Sequence, residues 1–233
     1  MHRIKKQAAL LGILLSLILP LQGQNRRTIL TVRHVIKNME SALQKMQDFQ
    51  ASYRIVNGTY TSSGLIYYMK PFFLRVNSAT DGVQLVSNGK MLWIFIPRFG
   101  IVAEQELITS EDKYKILLAS TEKSLLHMRR EYTFGFAPGG KTDPNYFILD
   151  LKPRITKIGF KEIRLWVDRN SFLITRVASK TVNSRIVDIT FTGIKTNSNP
   201  ALTKGLFFFG MPDNNVQTIR NTILPTEYLE KRR

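Results

Sequence analysis

Leu85-Val86-Ser87-Asn88-Gly89-Lys90-Met91-Leu92-Trp93-Ile94-Phe95-Ile96-Pro97 sets two short apolar runs on either side of an Asn-Gly pair. Asn-Gly supplies the positive backbone φ that a tight hairpin turn needs, so the stretch predicts two antiparallel strands, Gln84–Ser87 and Met91–Ile96. The same signs recur outward. Asn57-Gly58 and Asp81-Gly82 separate further runs rich in Ile, Val, Phe, Tyr and Leu, which predict strands at Ala51–Val56, Gly64–Met69, Phe72–Asn77 and Ile101–Glu104. Towards the C-terminus, strands are expected at Tyr132–Phe136, Tyr146–Leu151, Glu162–Val167, Phe172–Ser179 and Arg185–Lys195, with Asp168-Arg169-Asn170 as a turn.

Two stretches break this period of two. Val35, Ile36, Met39, Leu43 and Met46 recur at helical spacing, with Lys37, Asn38, Glu40 and Lys45 on the other side. From Glu111 to Arg130, Tyr114, Leu117, Leu118, Leu125 and Met128 gather similarly. One helix leading into about eleven antiparallel strands, interrupted by an inserted helix, has no alternating β-α-β order to suggest a parallel sheet. A mainly β (α+β) fold follows, one strongly curved sheet with helices over its concave face.

At the N-terminus, His2, Arg3, Lys5 and Lys6 precede an apolar run from Ala8 to Leu19, broken by Pro20. This is a signal-peptide pattern, shorter than the roughly 20 residues of a membrane span, with cleavage expected after Gly23. The expected organisation is a signal peptide over 1–23 and one domain over 24–233, located in the periplasm. The chain has no cysteine, which removes both disulfides and a lipid-modified N-terminal Cys. Removing Arg3, Lys5 and Lys6 leaves +14 of the formal +17 charge. Export takes nucleic acid away as a partner and leaves anionic headgroups and acidic clients as targets for this charge. The tail from Ile219 to Arg233 reads as a solvated terminus.

Catalytic chemistry finds little support. The three histidines are His2, His34 and His127, the last two in the helical stretches with no carboxylate at metal-ligand spacing. No G-x-S-x-G elbow occurs. Gly135-Phe136-Ala137-Pro138-Gly139-Gly140-Lys141-Thr142 matches the spacing of a phosphate-binding loop, but a turn and a strand follow where a helix should open, so it reads as a hairpin loop. No enzyme activity, metal or cofactor is expected.

The Leu85–Pro97 segment closely resembles the strand, Asx-Gly-Lys turn and Leu-Trp strand before Pro of LolA-type lipoprotein carriers. Gly64-Leu65-Ile66-Tyr67-Tyr68-Met69-Lys70-Pro71, Phe147-Ile148-Leu149-Asp150-Leu151-Lys152-Pro153 and Leu206-Phe207-Phe208-Phe209-Gly210-Met211-Pro212 resemble further family segments, in the same order. The resemblance implies an incomplete β-barrel with a helical lid, holding lipoprotein acyl chains inside. Its implied partners are acylated lipoproteins, an inner-membrane ABC-type lipoprotein exporter, and an outer-membrane receptor or the outer membrane itself, the carrier being a monomer. Candidate lipid-binding residues are Phe73, Leu85, Trp93, Phe95, Phe134, Phe136, Phe147 and Leu149 on strands and Leu117 and Leu118 on the lid. The basic residue before Pro, Arg in the family and Lys70 here, is implied to latch the lid. A half-barrel carrier of other lipids or glycolipids is the alternative, with an exported hydrolase or a structural envelope protein as more distant readings.

Overall fold

The computed structural model describes residues 30–108, 122–155, 160–181, 184–198, 200–212 and 216–221. The expected signal peptide and the first half of the inserted helix, with Leu117 and Leu118, lie outside them.

Helix α1 spans Val32–Lys45. Thr31 caps it, its hydroxyl accepting from the His34 N–H, and Lys45 sits in the last turn where the exposed carbonyls favour a cation. Val35, Ile36, Met39 and Leu43 form its buried stripe. The chain then turns extended and forms six consecutive strands: β1 (Asp48–Asn57), β2 (Tyr60–Met69), β3 (Phe73–Ser78), β4 (Gln84–Asn88), β5 (Met91–Ile96) and β6 (Ile101–Glu106). Helix α2 (Glu122–Glu131) leads into β7 (Tyr132–Phe136), β8 (Tyr146–Pro153), β9 (Phe160–Asp168), β10 (Ile174–Thr181) and β11 (Ile186–Thr196), and β12 (Gln217–Arg220) follows. Among the described residues no helix is long and apolar enough to cross a membrane.

The turns follow the expected chemistry. Gly89 has φ +81°, and the Asn88 side chain accepts from the Lys90 and Met91 N–H groups. The Gly135–Thr142 stretch is the end of β7 and its hairpin loop, with the Gly140 N–H already given to the Ala137 carbonyl.

These strands join one sheet in the order β12-β6-β5-β4-β3-β2-β1-β11-β10-β9-β8-β7. It is curved and does not close: β7 and β12 are its two ends. Irregular registers between Gln50 and Ser52 against β11, and between Ile174 and Arg176 against β9, bend it. One expectation is corrected. The twelfth strand, β12, lies parallel to β6, so the sheet is not wholly antiparallel and the expected tail begins inside it. Gln-Thr-Ile-Arg carries no apolar alternation, and its pairing depends on the chain crossing back over the sheet, which no local signal announces.

Candidate functional site

Directly paired residues share a face of the sheet, so the registers sort every side chain to one side or the other. One face carries Tyr132, Leu149, Leu151, Leu165 and Val167 of β7–β9, each under 5% exposed, while the intervening Asp150, Lys152, Glu162 and Arg164 face outward. The two helices pack on each other and on β7, which makes the apolar side the helix-covered one. The Arg129–Glu40 ion pair joins α2 to α1.

Along this face two rows of paired residues run from edge to edge. Phe136, Leu149, Leu165, Val177, Ile189 and Ile55 are successive partners from β7 to β1. Ala51, Ile66, Val76, Leu85, Ile94 and Ala103 continue from β1 to β6, where Ile219 of β12 completes the row. None is polar. Leu149 and Leu165 are fully buried, whereas Phe136, Val177, Ile189, Ile55, Ile66, Val76, Leu85 and Ile94 are only half-buried. At about 4.8 Å per strand the lane runs for about 50 Å along the curved sheet.

Lys70 stands where β2 ends. Its ammonium donates to the Gln44 carbonyl in the last turn of α1 at 2.6 Å, and its N–H donates to the Gln47 carbonyl at 2.8 Å. A cation on the free carbonyls of a helix C-terminus is favourable on both hydrogen-bonding and dipole grounds. The helix is not sealed against the strand ends: a cavity of about 460 Å³ opens there between Ala42, Met46, Leu173 and the polar Asn38, Ser41 and Thr196.

The structure divides the sequence candidates. Leu85, Phe134, Phe136, Phe147 and Leu149 lie on the helix-covered face, Phe134 beside Leu151 and Phe147 closed off by Phe172 at 5.8 Å and by Arg169 over its ring at 4.2 Å. Phe73, Trp93 and Phe95 point to the other face, one register step away, and are not brought together with them. There residues 206–212, with Val216, lie over the sheet. Phe207 meets Phe73 with ring centres 5.5 Å apart, Phe209 stacks on Trp93 at 5.6 Å, and Val86, Val102, Phe95 and Val216 complete this cluster. Arg75 holds the segment by donating to the Leu206 and Phe208 carbonyls. Ile55, Ile66, Val76, Ile94, Val177 and Ile189 are not among the sequence candidates, which are mostly aromatic. Their period-two spacing was the available signal.

Charged groups lie elsewhere. On the outer face Arg164 grips Asp150 at 2.6 and 2.9 Å, and Arg176 grips Asp188 while lying 4.3 Å over Trp166. A depression of about 450 Å³ around Trp166 and Ala178 is rimmed by the first pair, Lys152 and Lys180. It spans four strands against twelve for the lane, and of its two carboxylates Asp150 is held by Arg164, so the twelve-strand lane is the stronger site. Among the described residues no cluster of His, Asp or Glu could hold a metal ion, and His34 is exposed on α1.

Residues 48–210 match the family model of the outer membrane lipoprotein carrier protein LolA. No curated protein matches the chain. Among solved structures, an uncharacterized conserved protein from Thermus thermophilus superposes with a TM-score of 0.51 at 12% identity, over 81% of this chain and 98% of that one. The MucA/MucB complex of Pseudomonas aeruginosa gives 0.50 at 12% identity, over 76% of this chain and 60% of that one. A LolA superfamily protein from Nitrosomonas europaea gives 0.38 at 11%, over 77% and 98%. At 12% identity the likeness to the first two is one of fold alone.

Proposed function

The chain belongs to the family of the outer membrane lipoprotein carrier protein LolA, and on that premise we propose that it carries lipoproteins across the periplasm with their acyl chains in the apolar lane. The observation that carries this reading is the lane itself: half-buried aliphatic side chains running across the sheet, on the face where the helices pack at β7, with no polar group in the row. Each acyl CH₂ exposed to water costs about 0.8 kcal/mol, so a multiply acylated protein crosses an aqueous space only when such a surface covers its chains. Ile66, Val76, Leu85, Ile94, Val177 and Ile189 form the floor, with Phe134 and Phe136 at the β7 end.

Loading requires α1 and α2 to move off the lane, and the Lys70 bond to Gln44 is the latch that holds the empty carrier shut. Lys gives a point charge where the family's Arg gives a planar fork, so this latch is weaker than an Arg latch. The exported chain runs from residue 24 as one domain, takes cargo from an inner-membrane ABC-type exporter, and releases it to an outer-membrane receptor or to that membrane directly. Release follows when the acceptor binds the acyl chains more favourably than the lane does.

The test is capture. The protein is purified from the periplasm, and co-purifying molecules are identified by mass spectrometry for the unsubstituted chain and for Leu85→Glu, Ile94→Glu and Trp93→Ser. Acylated lipoproteins bound to the unsubstituted chain and to Trp93→Ser, but lost from the two glutamate variants, are expected. Free lipids or glycolipids in their place would change the cargo. Absence of any apolar cargo would overturn the reading.

A further inference from the structure

The antiparallel registers fix strand direction and put the β1–β2, β5–β6, β8–β9 and β10–β11 connections, with the start of β7, at one end of the sheet. Large apolar side chains stand in solvent at that end: Phe99 is 64% exposed, Ile155 66%, Phe160 38% and Ile186 60%. Arg98, Arg130, Arg154, Lys161, Lys180 and Arg185, all exposed, surround them. Phe160 pairs with Thr181, Lys180 pairs with Ile186, and the Arg154 N–H donates to the Glu131 carbonyl, so the elements from α2 to β11 join in one patch. The acids are few. Glu162 faces Lys180 across the strands, Asp81 accepts the Tyr60 hydroxyl, and Glu131 closes α2.

We propose that this end of the sheet docks on an anionic lipid bilayer surface. Aliphatic and aromatic side chains at strand ends enter the headgroup boundary, while the flanking Arg and Lys meet lipid phosphates. The geometry favours a membrane over an acidic protein. The apolar groups are separate projections, which a deformable plane accepts, whereas a protein partner needs about 800 Å² of contiguous complementary surface. For cargo transfer the inference rests on the carrier reading, since docking here holds one set of strand ends of the lane's own sheet against the headgroups. The docking itself does not depend on what the lane carries.

The mature chain is mixed with vesicles of phosphatidylcholine alone or with added phosphatidylglycerol, and partitioning is read by sedimentation. Binding to the anionic vesicles only, weakening with salt, is expected. Ile155→Ser with Phe160→Ser should lower partitioning by at least about tenfold, and each of Lys180→Ser and Arg185→Ser by about fivefold. The Phe160→Trp protein should add blue-shifted emission on binding, a readout independent of any loss of folding. Equal binding to both vesicle types, no binding, or an unshifted Phe160→Trp spectrum would overturn the proposal, as would capture of an acidic protein by a chain that ignores vesicles. A chain that binds vesicles but captures no acylated cargo keeps the docking and loses the carrier reading, and the converse result removes the docking alone.

Discussion

Gly64 lies opposite Ser78 in the β2–β3 ladder, and a Cβ there would sit 1.9 Å from the Asn77 carbonyl oxygen. The backbone must move to admit even a methyl, so Gly64→Ala should cost about 2–4 kcal/mol, measured by denaturant unfolding. Lys70 makes a different contribution. Lys70→Met removes one hydrogen bond worth about 1 kcal/mol and should speed amide exchange in the last turn of α1 while raising the rate of acyl loading. Asp168 sets an acid limb. Burial opposes its ionisation, but the Ser171 N–H and hydroxyl and the Asn170 N–H outweigh that and hold its pKa below the usual carboxylate value. Its folded-state pKa is depressed, so its stabilisation is present above about pH 3.9, the unfolded value, and is lost as pH falls through the folded one. Melting temperature followed against pH should drop less steeply on that limb in Asp168→Asn. Gly64 and the Asx-Gly turns were visible as residues. That Phe73, Trp93 and Phe95 face away from Leu85 was not, because one step of register moves a side chain across the sheet.

Among the elements, the hairpins are the most local. β5 begins and ends at the expected residues, and β1, β2 and β8 extend beyond theirs because pairing with neighbours continues past the apolar run. The segment over 206–212 is the opposite case. The sequence marks its aromatics, but only the fold lays Phe207 and Phe209 over β3–β6 and brings β12 alongside β6. Phe209→Ala should cost about 3 kcal/mol and expose Gln217–Arg220 to amide exchange, with little change in α1. A uniform rise in exchange across the whole sheet would show instead that the segment does not act as a separate element.

At the scale of the molecule, twelve strands form an open, curved sheet whose helix-covered face carries a continuous apolar lane of mostly half-buried side chains. A ligand that binds this face only in the folded state stabilises by mass action, so an acylated lipopeptide at about 100 times its Kd should add about 2.7 kcal/mol. The gain, read as a rise in melting temperature, should vanish in Leu85→Glu. Residue order alone specifies the strands, their turns, α1 and the succession of family-like segments, because side-chain period, turn conformation and helix capping act over a few residues. Folding in three dimensions sets which face each strand gives to the helices, the parallel β12, the seat of residues 206–212 and the continuity of the lane. Those depend on register and on chain reversals between residues far apart, where a single step of pairing exchanges interior for exterior.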